Sequence, residues 1–155
     1  MAEDRLSWER YALKLASVAA ERSEDPFMQV GACALGHDHS VIGLGYNGAP
    51  PGITINWNVR DERRLRVVHA EVNALRYTSP GECKLLAVTH VPCNECLRLI
   101  AAYKIKNVVF NDIYSRDMSS LDIASDFNIN LTCTPYAIRS VSREYKNKFT
   151  IIDDI

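Results

Sequence analysis

His69-Ala70-Glu71 and Pro92-Cys93-Asn94-Glu95-Cys96 are the two stretches on which the reading of this chain turns. One imidazole and two thiolates are donor types that hold zinc. Cys93 and Cys96 stand three residues apart, a spacing that in the first turn of a helix brings both sulfurs to one side. The free amides and positive end of such a helix favour thiolate over thiol. Glu71 follows the histidine by two positions, too short a step for both side chains to point the same way on a helix. It can therefore lean beside the metal without binding it. Three protein ligands leave one position open, which marks a catalytic zinc site. A zinc ion with two thiolates and a neutral imidazole carries no net charge and acidifies a water less than three histidines would. A helper base is then needed, and Glu71 can fill that role.

Blander readings stand beside this one. Cys-x-x-Cys alone could be a redox pair or half of a structural zinc site, but no second Cys-x-x-Cys or histidine pair completes four ligands. His37 and His39 lie in a turn and are expected to be solvated. Cys33 and Cys133 fall inside apolar strands as small core residues, and Cys83 sits at a strand edge. His90 is near the candidate ligands in sequence, though strand geometry can point it elsewhere, and it stays unassigned.

Around these segments the pattern alternates. Residues 5–23 read as a helix, with Leu6, Leu13, Ala16 and Ala20 at helical spacing and Asp25-Pro26 as its stop. Residues 30–35 and 41–45 read as an antiparallel hairpin that runs into the glycine- and proline-rich loop 45–52. The stretch 53–68 carries Arg60, Arg63, Arg64 and Arg66 among Asp61 and Glu62. It is either a solvated helix face with local ion pairs or a place where one or two arginines meet a phosphate. A helix at 69–77 with Val72, Leu75 and Tyr77 inward follows, then a strand at 84–90, a helix from Pro92 to about Lys104 and a strand at 107–111. A helix at 120–128, a strand at 130–134 and a last helix at 138–148 complete the chain. The fold class expected is α/β: a mixed five-stranded sheet covered by helices on both faces, a three-layer α-β-α sandwich formed as one domain over residues 1–155.

Composition limits the partners. The formal net charge of −1 argues against a nucleic-acid surface, and no apolar run reaches membrane-spanning length. The first residues lack the order of a secretory signal, and five cysteines, an odd number, suit a reducing compartment, so a cytoplasmic protein is expected.

His-Ala-Glu followed by Pro-Cys-x-x-Cys resembles the zinc-dependent cytidine deaminase superfamily. The segments 22–26, 29–32, Gly45-Tyr46-Asn47-Gly48, Trp57, 69–74 and 92–96 together are similar to its deoxycytidylate (dCMP) deaminase branch. The resemblance implies hydrolytic deamination of dCMP to dUMP for thymidylate supply. His69, Cys93 and Cys96 would hold one catalytic Zn2+, and Glu71 would shuttle the proton. It further implies that Asn47 binds sugar or base, that the Ala70 amide meets the cytosine carbonyl, and that Tyr114 lines the pocket. Members are typically homo-hexamers activated by dCTP and inhibited by dTTP, with Mg2+ accompanying the triphosphate. Gly45, Tyr46 and Gly48 are candidates for that regulatory site. Two departures stand out: Phe27-Met28 replaces the polar residues usual after Asp-Pro, and the short 57–69 segment lacks room for the second, structural zinc of some relatives. Competing activities are deamination of cytidine, dCTP, tRNA adenosine or a riboflavin precursor. Outside enzymes, the alternative is a nucleotide-sensing or structural zinc protein without turnover.

Overall fold

The computed structural model describes residues 5–113, 119–137 and 149–152. It contains helices α1 (Trp8–Ala20), α2 (Arg60–Arg66), α3 (Ala70–Leu75), α4 (Asn94–Ala102) and α5 (Ser119–Asp126). The strands are β1 (Gly31–Gly36), β2 (Val41–Tyr46), β3 (Cys83–His90), β4 (Asn107–Asp112), β5 (Asn130–Cys133) and β6 (Thr150–Ile151). The sheet has six strands in the order β2-β1-β3-β4-β5-β6. β1 pairs antiparallel with both β2 and β3, while β3, β4, β5 and β6 run parallel to one another. The mixed sheet is thus as expected, with one strand more than the five read from sequence. β6 is two residues long, too short to carry any period. The last helix expected, at 138–148, lies outside the described residues.

Helices cover both faces. α1 lays Ala12, Leu13 and Ala16 on Cys33, Leu35, Leu85, Ala87 and Val109 on one side. On the other side α3, α4 and α5 contribute Ala70, Ala74, Leu97, Ile100, Leu121 and Ala124 against Ala32, Ala34, Leu86, Val88, Val108 and Phe110. That is why every residue of β1 is buried, although it belongs to a hairpin. α1 starts where Ser7 accepts the Arg10 amide at 3.1 Å, so Leu6 falls before the cap and is exposed, and Ala12 takes the inward place.

The inward face of α3 differs from the expected one. Val72 and Tyr77 are exposed, and Ala70, Glu71, Ala74 and Leu75 point in. The cause lies in β2. A Cβ on Gly43 would stand 1.8 Å from the Ala74 carbonyl oxygen, and one on Gly45 would stand 2.4 Å from the Ala74 nitrogen. Two glycines let the α3 backbone touch the strand, and only alanine-sized side chains fit between them. Asn73 fastens the contact by donating to the Tyr46 carbonyl at 2.8 Å.

Candidate metal centre and substrate cavity

His69 and Cys93 are the N-cap residues of α3 and α4, both in extended conformation, so two helix starts meet at one point. The chain entering α3 is fixed by an antiparallel bridge between Val68 and Gly48. α4 follows β3 through Val91 and Pro92, and the Val91 amide donates to the Asp112 carbonyl at 2.9 Å. Cys96 lies in the first turn of α4, on the side of Cys93. The His69 ring presents Nδ1 to both sulfurs, 3.3 Å from Cys96 Sγ and 3.5 Å from Cys93 Sγ.

All three donor atoms lie within 4.8 Å of one another. Tetrahedral zinc with ordinary Zn–N and Zn–S bonds sets donors about 3.6 Å apart, so this set fits the ion. The electrostatics agree. A hydrogen bond from Cys96 pulls the Cys93 thiol down to about 4, and burial opposes it; the Cys96 thiol is held up by sharing that proton and by burial. The His69 ring is pushed up, first by its hydrogen bond to Cys93. Two sulfurs and an imidazole that crowd one proton between them are relieved by a dication, which lets both thiols ionise.

Glu71 is 4% exposed, and burial holds its carboxyl above the usual carboxylate range, with a hydrogen bond from Cys96 opposing. Glu71 lines a cavity of about 320 Å³, a size suited to a small ligand. His69, Ala70 and Cys93 line the same cavity, as do Asn47, Asp25, Met28, His90 and the arginines 60, 63 and 64.

Asn47 reaches the cavity wall with most of its carboxamide engaged. Its Oδ1 accepts the Val30 amide at 2.8 Å, and its Nδ2 donates to the Met28 carbonyl at 2.9 Å and more weakly to Asp25 Oδ2 at 3.4 Å. Asp25 in turn accepts the amides of Phe27 and Met28. The Ala70 amide, at the first position of α3, has no acceptor within its helix. Gly45 and Tyr46 end β2, with Gly45 packed against α3, while Gly48 is buried and a Cβ there would stand 3.8 Å from Glu24 Oε1. Tyr114 lies outside the described residues. His37 is exposed and hydrogen-bonded to the Gly81 carbonyl, and His39 stacks on Trp8. Cys33, Cys83 and Cys133 are all buried, Cys83 included.

Sequence reasoning gave no role to Asp25 or His90 and left the arginines open. His90 is buried enough that its ring is held below the ordinary histidine range, and its Nδ1 stands 3.0 Å from Thr89 Oγ1. The Asp-Pro dipeptide was the one local signal for Asp25, and it reads equally well as a helix stop.

Residues 6–112 match the family described as the cytidine and deoxycytidylate deaminase zinc-binding region. A human deoxycytidylate deaminase is 37% identical over 118 residues, which cover 70% of this chain and 66% of that protein, just under two thirds of its length. A deoxycytidylate deaminase of Mycobacterium phage D29 is 36% identical over 123 residues, covering 68% of this chain and 95% of that one. Among solved structures, the dCMP deaminase of cyanophage S-TIM5 in complex with dCMP and dUMP superimposes with a TM-score of 0.68 at 28% identity. That match covers 78% of this chain and 92% of the other.

Proposed function

This chain belongs to the cytidine and deoxycytidylate deaminase family, and on that premise we propose that it hydrolyses dCMP to dUMP and ammonia. The observation that carries the reading is a buried carboxylate, Glu71, beside a His-Cys-Cys donor set on one cavity. A structural metal site has no use for such a group. Support for dCMP over other amines comes from the relatives named deoxycytidylate deaminase and from the cyanophage enzyme bound to dCMP and dUMP.

His69 Nδ1 and the sulfurs of Cys93 and Cys96 would hold zinc, which would supply Lewis-acid activation of water near neutral pH. Glu71 would take a first proton from the water and place it on N3 of the pyrimidine, where it stays in dUMP. It would then take the second proton from the hydroxyl added at C4 and pass it to the amino group, which leaves as ammonia. Its burial keeps it a good proton acceptor, because a carboxylate out of water binds a proton more tightly. The Ala70 amide donates to the ring carbonyl. Asn47 holds the cavity wall through Val30, Met28 and Asp25 and presents its remaining oxygen lone pair to the sugar.

The reading extends to a single deaminase domain over residues 1–155 that forms a cytoplasmic homo-hexamer, activated by dCTP and inhibited by dTTP with Mg2+. Five free cysteines suit a reducing compartment. Gly45, Tyr46 and Gly48 would contribute to the regulatory site, where glycine lets a phosphate or sugar approach the backbone. Sedimentation with and without dCTP, dTTP and Mg2+, together with initial rates, tests this regulation.

Ammonia release from dCMP, dCTP, cytidine and deoxycytidine tests the activity. Glu71→Gln is expected to retain one zinc per chain and lose turnover by several orders of magnitude. Full activity in that variant would remove Glu71 from the chemistry.

A further inference from the structure

We propose that the Arg60–Arg63–Arg64 face of α2 reads the 5′-phosphate of the substrate, with Arg63 as its fixed member; this rests on the nucleotide-deaminase reading above. The three arginines recur at helical spacing, so their side chains share one side of α2, and that side lines the same cavity as His69, Glu71 and Cys93. Arg66, off that face, does not line it. The cavity therefore has metal donors and a carboxylate on one wall and guanidinium groups on another. An aminopyrimidine carrying a phosphate dianion has the complementary polarity.

The nearby acids leave this charge available. Glu62 Oε1 accepts the Asn56 amide at 3.0 Å. Asp61 stands 3.9 Å from Arg64, with both side chains well exposed, a contact weak enough for a phosphate to displace. The Arg60 side chain has no hydrogen bond or ion pair among the described residues. Asp25, the other carboxylate on the cavity, is occupied by the Phe27 and Met28 amides and by Asn47.

Arg63 is held in place before any ligand arrives. Its guanidinium carbon sits 4.1 Å from the centre of the Phe27 ring, and Nη1 donates to the Trp57 carbonyl at 2.6 Å. Most of its five N–H donors remain for a phosphate, in the planar fork that matches phosphate oxygens. The same contact accounts for Phe27, an aromatic side chain 61% exposed beside the cavity: it is a shelf for Arg63. Phe27 is a positioning residue.

The test uses the full zinc-loaded chain and calorimetric Kd values for dUMP and deoxyuridine, which differ only by the phosphate. The wild type is expected to prefer dUMP. The ratio of the two Kd values should fall roughly ten- to hundredfold in Arg63→Gln and in the double variant Arg60→Gln/Arg64→Gln, the loss of one or two charge-assisted hydrogen bonds. Arg63 also holds Trp57, so the double variant, whose residues make no buried contact, guards against a folding artefact. Phe27→Leu should lower the ratio, and Phe27→Tyr should restore it. An unchanged ratio in both arginine variants, or equal wild-type affinity for dUMP and deoxyuridine, overturns the proposal. A loss for dCTP that exceeds the loss for dUMP overturns it in favour of a triphosphate site. Absence of turnover on dCMP with the expected binding ratios would sink the deaminase reading alone.

Discussion

Glu71 shows how much a few ångströms of burial change the chemistry of one side chain. A solvated glutamate is a weak base at neutral pH, but here removal from water raises its proton affinity beside the metal donors. The cysteines divide in the same way. Burial pushes the Cys83 thiol up to about 12 and those of Cys33 and Cys133 up to about 11, so these three stay protonated and unreactive near neutrality. Cys93 sits at a helix start, half-buried, with its proton drawn away by its neighbours. Alkylation at pH 8 followed by peptide mapping should label Cys93 once a chelator has removed zinc, and leave Cys33, Cys83 and Cys133 unlabelled in folded protein. Labelling of Cys83 at the same rate would contradict its burial. His69→Ala is expected to lower bound zinc well below one per chain, read by metal analysis of folded material, since two sulfurs alone make a poor site. These residues were legible in the sequence because their chemistry is stated by residue type and short spacing.

At the scale of elements, α3 does most to place the site, and it is the element whose packing the sequence pattern misjudged. A helical wheel puts Val72 and Tyr77 inward because they are its large apolar side chains. The fold instead turns Ala70 and Ala74 to the sheet, since Gly43 and Gly45 bring the helix backbone against β2. Gly43→Ala and Gly45→Ala place a methyl group into helix backbone and should each cost about 1–3 kcal/mol of stability. Because His69 and Glu71 ride on α3, zinc occupancy should fall with it. Gly52→Ala is the control. It has a φ of +79° with open space around the missing Cβ, so it should cost about 1 kcal/mol through the backbone alone and leave zinc content intact. Chemical denaturation with metal analysis of each variant separates the two cases. The α2 arginines illustrate the same limit: their spacing says they share a face, but not what that face looks at.

For the molecule as a whole, three buried thiols predict a pH dependence. In the unfolded chain a thiol ionises near pH 8.5, whereas in the folded chain Cys33, Cys83 and Cys133 hold their protons to about 11 or 12. The unfolded state therefore binds fewer protons above pH 8.5, and stability falls as pH rises from there towards 11. The loss is on the order of 1–2 kcal/mol per thiol by pH 10. Tm measured between pH 8 and 10.5 should fall less steeply in Cys33→Ala/Cys83→Ala/Cys133→Ala than in the wild type, whatever the absolute stability of the variant; parallel slopes would refute it. By itself the sequence determined the donor set His69, Cys93 and Cys96, the nearby carboxylate and the succession of strands and helices, because each is written in residue type and local period. Only the tertiary structure decided that α3 packs by its alanines, that a two-residue β6 extends the sheet, and that Asp25, Asn47, His90 and three arginines share one cavity with the metal donors. Those facts depend on backbone contacts and strand order between segments far apart in the chain, which no local pattern of side chains encodes.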